Sequence, residues 1–190
     1  MADGKLGLVS VGAYVPRYRL TGKLLAQVWG SGGGERAVAN YDEDAVTMAC
    51  EAALDAVAGR DPARIGACFL ASTSAPYVEK SSATLIATVA DLGPEIVTAD
   101  LAGSLRAGTT ALRLALDAVK AGTVAQALAV AADMRPVAPG SELEGMLGDG
   151  ALAAAAAPHL GEKLGREPVA GHVGADVQES DRSVSHRGLR

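Results

Sequence analysis

The chain has 190 residues, of which 49% are hydrophobic, and a mean hydropathy of +0.20, so it can bury a sizeable core. Its net charge of -5 and pI near 5.2 provide no basic surface, and we therefore expect no nucleic acid as a partner. The sequence shows no secretory signal and no uncharged run long enough to cross a bilayer, which predicts a cytoplasmic protein without membrane contact.

Strand and helix patterns alternate along the chain. Strands are predicted over residues 6–15, 65–71, 96–99, 124–132 and 151–157, and helices over residues 20–29, 45–58, 79–92 and 107–116. This alternation indicates an α/β fold with a largely parallel sheet that is covered on both faces. From residue 158 onward the pattern weakens, and residues 158–190 are predicted to form an irregular tail or an arm that wraps a partner.

Three consecutive acidic residues, Asp42, Glu43 and Asp44, precede the predicted helix 45–58. Negative charge in the first turn stabilises a helix, so a capping role is favoured. Paired carboxylates for acid and base catalysis are the functional alternative.

The cysteines and histidines do not have the spacing of a metal site. Cys50 and Cys68 fall in apolar patterns, where a buried thiol acts as a small hydrophobic group. His159, His172 and His186 are scattered late in the chain. We therefore predict no metal and no disulfide.

A strand, a tight turn and a helix follow one another between residues 96 and 116. Asp100, Gly103 and Ser104 interrupt the apolar pattern before helical spacing begins at Ala107. Such a turn exposes a side chain at the sheet end beside backbone N–H groups and the positive end of a helix, which is where a nucleophile would sit. An ordinary β–α connection is the alternative. Asp100 is expected to anchor the turn by accepting backbone N–H groups.

The polar turn at residues 72–77 follows the strand 65–71. Because ligands collect where the parallel strands of an open α/β sheet end, this turn and the turn after Asp100 are expected to face one pocket.

With these elements placed, the sequence resembles the N-terminal half of the thiolase-fold condensing enzymes, in the branch of 3-hydroxy-3-methylglutaryl-CoA synthase and β-ketoacyl synthase III. The resemblance rests on the motifs at residues 14–16, 34–36, 42–49, 71–77, 106–109 and 148–151. It implies that residues 1–157 form a thiolase-like half-domain, the N-terminal βαβαβαββ unit of a layered αβαβα fold, with a mostly parallel mixed sheet.

The resemblance also implies a set of site residues. The family's nucleophilic Cys corresponds to Leu105 and its general-base Glu to Thr73, and neither replacement can perform those roles. Ser104 is the nearest hydroxyl and the catalytic candidate. The implied substrate pocket comprises Thr73, Ser104, Leu105, Arg106 and Gly148. Arg36 matches a basic position near the CoA nucleotide, with a solvent-exposed arginine as the alternative.

The sequence is similar to bacterial hydroxymethylglutaryl-CoA synthase-like proteins that lack this Cys and are often encoded with a zinc-ribbon and OB-fold acyl-CoA-binding module. This similarity implies an acyl-CoA-binding subunit of a carbon–carbon bond-forming or -cleaving complex, with a CoA thioester as ligand and no covalent cofactor. A catalytically silent structural subunit is the alternative. Because the chain resembles half a domain, a homo-oligomer or a second thiolase-like half is the expected partner, reached through the small residues of the helix at 107–121.

Overall fold

The computed structural model describes residues 6–30 and 34–158. The predicted C-terminal arm at residues 158–190 lies outside this part except for its first residue. In chain order the elements are β1 (Leu6–Tyr14), β2 (Tyr18–Leu20), α1 (Gly22–Trp29), β3 (Arg36–Val38), α2 (Ala45–Val57), β4 (Ile65–Ala71), α3 (Ser82–Val89), β5 (Val97–Leu101), α4 (Ala107–Lys120), β6 (Gln126–Asp133) and β7 (Gly150–Pro158).

A five-stranded mixed sheet with the order β1-β7-β6-β4-β5 forms the centre of the fold. β4 pairs in parallel with β5 and with β6, whereas β7 pairs antiparallel with both β6 and β1. Four of these strands therefore run in one direction, which confirms the predicted α/β fold with a mostly parallel mixed sheet. The carboxyl ends of β4, β5 and β6 consequently meet at one edge of the sheet.

Helices cover both faces of this sheet and form two buried clusters. On one face, α2 and α3 pack against a cluster that includes Ile65, Leu70 and Leu128. On the other face, α4 contributes Ala107, Ala111, Ala115 and Val119 to a second cluster. α2, α3 and α4 present to the sheet the apolar residues that recur at helical spacing, as the sequence pattern predicted.

Small side chains allow the helices to approach the sheet closely. β6 and β7 bury a run of alanines, and α2 buries five alanines of its own. At Gly12 of β1, an added Cβ would lie 2.3 Å from the carbonyl oxygen of Ala52 and 2.3 Å from the nitrogen of Ala56. The backbone of α2 thus rests directly on β1, a distance that only glycine permits.

The acidic run before α2 has a structural role. Asp44 is the N-cap: its Oδ1 accepts the N–H groups of Val46 and Thr47, each at 2.8 Å, and the Thr47 hydroxyl accepts the Asp44 N–H at 2.7 Å. This reciprocal pair is a capping box. The Glu43 carboxylate accepts the Asn40 N–H and the Tyr14 hydroxyl, and that hydrogen bond, with burial, raises the pKa of Tyr14 to about 12. The capping prediction is confirmed, and these carboxylates are engaged in the fold.

The structure differs from the sequence prediction at some element ends. β2 and β3 form a two-stranded antiparallel sheet that was not predicted, and it removes Leu20 from the predicted first helix. Thr21 caps α1 instead, because its side chain accepts the Leu24 N–H. The third helix begins at Ser82 rather than at residue 79, because the Ser81 side chain accepts the Thr84 N–H and ends the preceding turn.

Substituting Gly12 tests the contact between β1 and α2. Gly12→Ala is expected to lower the free energy of unfolding by about 1–3 kcal/mol, because the new methyl group meets helix backbone that cannot rotate away. Urea unfolding followed by circular dichroism measures the change.

Gly7 is the matched control, because it lies in the same strand and an added Cβ there would have nothing within 4 Å. Equal unfolding free energies for Gly7→Ala and Gly12→Ala would contradict the close packing of α2 on β1.

Candidate functional site

The turns that follow β4, β5 and β6 enclose a cleft of about 610 Å³ at the carboxyl edge of the sheet. Its lining consists of Thr73, Ser74, Ala75, Gly103, Ser104, Leu105, Met134, Arg135 and Pro136. The two turns that the sequence placed at one pocket therefore do meet. The third turn, after β6, also lines the cleft, and the sequence analysis did not assign it to the site.

The Asp133 carboxylate at the end of β6 holds the cleft floor together. Its Oδ1 accepts the Thr73 N–H at 2.7 Å and the hydroxyls of Ser74, Thr73 and Ser72 at 2.9, 3.0 and 3.2 Å. The Ser74 hydroxyl in turn accepts the Met134 N–H at 2.9 Å. Hydrogen bonds to a carboxylate are stronger than those between neutral groups, so this set fixes the turn after β4 against the tip of β6.

Arg135 extends from the same tip into the cleft. Its Nη1 donates to the Thr73 hydroxyl at 2.8 Å and lies 4.0 Å from Oδ2 of Asp133. Thr73, which the resemblance matches to the family's general base, therefore accepts from a guanidinium and donates to a carboxylate. A hydroxyl so placed positions its neighbours and is no base at neutral pH.

The turn before α4 places Leu105 in the cleft. Gly103 adopts a positive φ of 74°, which favours glycine, and the Ser104 hydroxyl and carbonyl oxygens accept the N–H groups of Arg106 and Ala107, each at 3.1 Å. Leu105 is 82% exposed. The expectation that Leu105 lines the pocket is confirmed, whereas Arg106 serves as the N-cap residue of α4 and is not part of the cleft lining.

Asp100 anchors a different element from the one expected. Its carboxylate accepts the N–H groups of Ser82 and Ala83 at 2.6 and 2.7 Å and the Ser81 hydroxyl at 3.2 Å. Asp100 thus caps the N-terminus of α3 instead of its own turn. The prediction of backbone N–H donors was right, but the assigned turn was wrong, because β5 lies beside the start of α3 and the sequence does not show that proximity.

Arg36 and Gly148 lie away from the cleft lining, beside the loop that precedes β7. Arg36 is half-buried, its Nη1 donates to the Glu144 carbonyl at 3.0 Å, and its Nε is buried without a partner in the described chain. Gly148 faces β3, since a Cβ there would lie 3.6 Å from the Ala37 backbone. Gly148, which the resemblance assigned to the substrate pocket, is thus not among the residues that line the cleft, and Arg36 is half-buried rather than solvent-exposed.

The buried carboxylate of Asp149 joins β3 to the cleft. Its two oxygens accept the Arg135 N–H at 2.7 Å and the Ala39 N–H at 2.8 Å, and its own N–H donates to the Ala37 carbonyl at 3.1 Å. The sequence pattern predicted no role at this site for Asp149, Asp133 or Arg135, because their partners are distant in sequence.

The two cysteines belong to the core rather than to the cleft. Burial raises the pKa of the Cys68 thiol to about 12, and burial likewise raises the pKa of Cys50. Within residues 6–30 and 34–158, no group of His, Cys, Asp and Glu side chains could hold a metal ion. His159, His172 and His186 lie outside the described residues.

None of the helices described here is long and apolar enough to cross a membrane.

The sheet order, its helical layers and the cleft at the strand ends define the thiolase-like fold of the condensing enzymes. The priming β-ketosynthase of the R1128 polyketide pathway superimposes on 80% of the chain with a TM-score of 0.75 and 26% identity, and the chain covers 50% of it. An HMG-CoA synthase solved with CoA has a TM-score of 0.76 over 80% of the chain at 22% identity, a likeness of fold. The chain is a partial, N-terminal half of such a condensing-enzyme domain.

Within this class the chain is similar in sequence to archaeal hydroxymethylglutaryl-CoA synthases. It is 39% identical over 150 residues to the enzyme of Archaeoglobus fulgidus, and over 153 residues to that of Pyrococcus furiosus. These matches cover 73% and 78% of the chain and 44% of each relative, so the chain spans less than half the length of the curated relatives it matches. No family model matches the chain.

Removing the Asp133 carboxylate tests its role in holding the cleft floor. Asp133→Ala is expected to lower the free energy of unfolding by about 1–3 kcal/mol, because donors from the turn after β4 lose their shared acceptor. Asp117→Ala is the matched control: its carboxylate pairs with Arg113 on the exposed surface of α4, and its loss is expected to cost about 0–1 kcal/mol. Urea unfolding of both variants gives the comparison, and equal losses would contradict the assigned role.

Proposed function

We propose that the chain binds an acyl-CoA thioester and forms one part of a protein that makes or breaks carbon–carbon bonds by condensing or aldolase-type chemistry. The observation that carries this proposal is that Thr73, Ser104 and Leu105 line one cleft of about 610 Å³. The resemblance to condensing enzymes implies that Leu105 and Thr73 correspond to the family's reactive positions, and Ser104 is the nearest hydroxyl. The 39% identity to hydroxymethylglutaryl-CoA synthases supports a CoA thioester as the ligand.

The chemistry proposed for the cleft is non-covalent. Leu105 has no ionisable or hydroxylic group, and in the described chain the hydrogen bond of the Ser104 hydroxyl is to the Arg106 N–H rather than to a base. Backbone N–H groups of the Ser104 turn, at the N-terminus of the 14-residue helix α4, would polarise the thioester carbonyl. Ser104 is therefore proposed as a positioning residue of that turn.

The CoA nucleotide is proposed to lie where α1 meets the loop at residues 140–146. Trp29 is 49% exposed there, and its ring lies 3.5 Å from the Cβ position of Gly140. Arg36 holds the same loop through the Glu144 carbonyl. An exposed indole offers a stacking surface to an adenine ring, and the positive charge of the Arg36 guanidinium suits a phosphate.

We propose that a second copy of the chain or a second thiolase-like half packs against this unit. β1 and β5 are the outer strands of the sheet, and α4 carries exposed Leu114 on the face turned away from it. Unpaired backbone groups along an outer strand are suited to protein contact. A zinc-ribbon and OB-fold acyl-CoA-binding protein remains a further proposed partner.

The second candidate function is a catalytically silent subunit that completes an active partner. The observation that favours it is the pair of replacements at the family's reactive positions, Leu105 and Thr73. In that case the cleft would be a feature of the fold that binds no substrate, and the acyl-CoA would bind to the partner.

Calorimetric titration of an acyl-CoA against the 190-residue chain, alone and with any co-purifying protein, separates the two functions. We expect saturable binding to the chain alone. Leu105→Trp, which fills the cleft mouth, is expected to weaken binding severalfold, whereas Leu114→Trp on the outer face of α4 is the matched control. Binding only in the presence of a partner supports the silent subunit, and no binding in either sample contradicts the proposal.

No acyl-enzyme is expected in the cleft. Intact-mass analysis after incubation with an acyl-CoA should show an unmodified chain, because Leu105 cannot be acylated and the Cys68 thiol has a pKa of about 12. Leu105→Cys is the positive control: it places a thiol at the start of α4, where a thiolate is stabilised, and should exchange slowly with the thioester. A stoichiometric adduct on Ser104 in the unsubstituted chain would contradict the proposal that the chemistry in the cleft is non-covalent.

A further inference from the structure

The described residues that line the cleft include no carboxylate, histidine, cysteine, lysine or tyrosine. Their hydroxyls, on Thr73, Ser74 and Ser104, are not bases at neutral pH. The one charged group among them is the guanidinium of Arg135. These residues therefore offer a cationic hydrogen-bond donor but no side chain that removes a proton, which favours electrostatic stabilisation over acid and base catalysis.

The nearby carboxylates leave most of this guanidinium available. Oδ1 of Asp133 is occupied by four donors from residues 72–74, and Oδ2 lies 4.0 Å from Nη1, farther than a direct hydrogen bond. Both oxygens of Asp149 accept backbone N–H groups. Of the five N–H donors of Arg135, the one whose hydrogen bond is seen in the described chain goes to Thr73.

The sheet order sets the direction of the Arg135 side chain. β4 lies between β5 and β6, so the turn at Thr73 stands between the tip of β6 and the turn at Ser104. Asp149 accepts the backbone N–H of Arg135 at 2.7 Å, and the Thr73 hydroxyl accepts from Nη1 at 2.8 Å. The side chain is held at both ends and extends from β6 over the end of β4, toward the turn at Ser104.

A ligand oxygen in the cleft can therefore meet donors from two sides. When a bond beside a thioester forms or breaks, negative charge develops on the thioester oxygen, and preorganised donors at that oxygen lower the barrier. The backbone N–H groups of the Ser104 turn are neutral donors. A charge-assisted hydrogen bond is about twice as strong as a neutral one, and it strengthens further where water is excluded. Arg135 is thus the stronger of the two sets of donors.

We propose that Arg135, positioned by Thr73, is a catalytic residue that donates to the thioester carbonyl oxygen of a bound acyl-CoA and stabilises the negative charge that develops there. The inference rests on the proposed function, since it assumes that the cleft receives the acyl part of a CoA thioester. It adds a charged donor from β6 to the backbone N–H groups of the Ser104 turn. Arg135 forms no covalent bond and transfers no proton.

The first measurement compares two ligands that differ only in the oxygen that Arg135 is proposed to contact. Butyryl-CoA is a thioester, whereas S-butyl-CoA is the thioether of the same length and lacks the carbonyl oxygen. The 190-residue chain is expected to bind butyryl-CoA about tenfold more tightly, because hydrogen bonds to a charged group are lost with the oxygen. Titration calorimetry gives both dissociation constants.

The second measurement reports polarisation of the carbonyl directly. Cinnamoyl-CoA has a double bond conjugated with its thioester carbonyl, so donors at the oxygen move its absorption maximum to longer wavelength. We expect this shift when cinnamoyl-CoA binds to the unsubstituted chain. It is a readout that a merely structural role of Arg135 would not change, because it depends on the charge beside the oxygen.

Arg135→Gln is expected to remove most of the wavelength shift and to bring the affinities for butyryl-CoA and S-butyl-CoA within about twofold of each other. Thr73→Val removes the hydroxyl that holds Nη1 and should reduce the shift, and an unchanged shift contradicts the positioning role. Arg113→Gln is the matched control, because Arg113 lies on the exposed surface of α4. Circular dichroism confirms that each variant is folded.

The outcomes distinguish this inference from the function on which it rests. Equal affinity for butyryl-CoA and S-butyl-CoA, with no wavelength shift for bound cinnamoyl-CoA, overturns the role of Arg135 and leaves acyl-CoA binding intact. Equal weakening of both ligands by Arg135→Gln also overturns it, because the guanidinium would then contact the CoA part that they share. Failure of every thioester to bind overturns the proposed function and this inference together.

Discussion

Close approach of helix backbone to a sheet of small side chains is the constraint on which this fold depends. The backbone of α2 lies on Gly12, and the alanines of β6 and β7 leave room for helices on both faces. Dispersion forces grow with the number of atoms in contact, so short distances compensate for the scarcity of large rings in a chain with 3% aromatic residues. This close packing makes the sheet a rigid support for the turns at its edge.

Carboxylates at or near the strand ends hold the turns around the cleft in fixed positions. Asp100 ends β5 and caps α3, Asp133 ends β6 and holds the turn after β4, and Asp149 precedes β7 and holds β3. Each carboxylate accepts backbone N–H groups from an element distant in sequence. These ionic acceptors satisfy backbone groups that loops leave unpaired, so the irregular segments around the cleft are fixed without regular secondary structure.

The parts of the fold that could be predicted depend on local pattern. The start of α2 follows from Asp44, and the meeting of Thr73 with Ser104 and Leu105 follows from the rule that parallel strands end at one edge. The resemblance to condensing enzymes predicted that the chain forms a half-domain. It also predicted that the residues at the family's reactive positions are replaced.

The rest of the site requires contacts that local pattern does not encode. Arg36 meets Glu144 across 108 residues, and Asp133 meets Thr73 across 60. β2 and β3 are three residues each, too short for a periodic signal. Gly148 faces β3 rather than the cleft, and its motif marks a turn without showing the direction in which that turn faces.

The exposure of Leu105 has a thermodynamic consequence. An aliphatic side chain that is 82% exposed at a cleft mouth keeps ordered water beside it, and burying such a side chain contributes about 1.5–3 kcal/mol. Any molecule that covers it, whether an acyl chain or a protein surface, releases this water. The heat capacity of the system then falls on association, and the association becomes increasingly enthalpy-driven as the temperature rises.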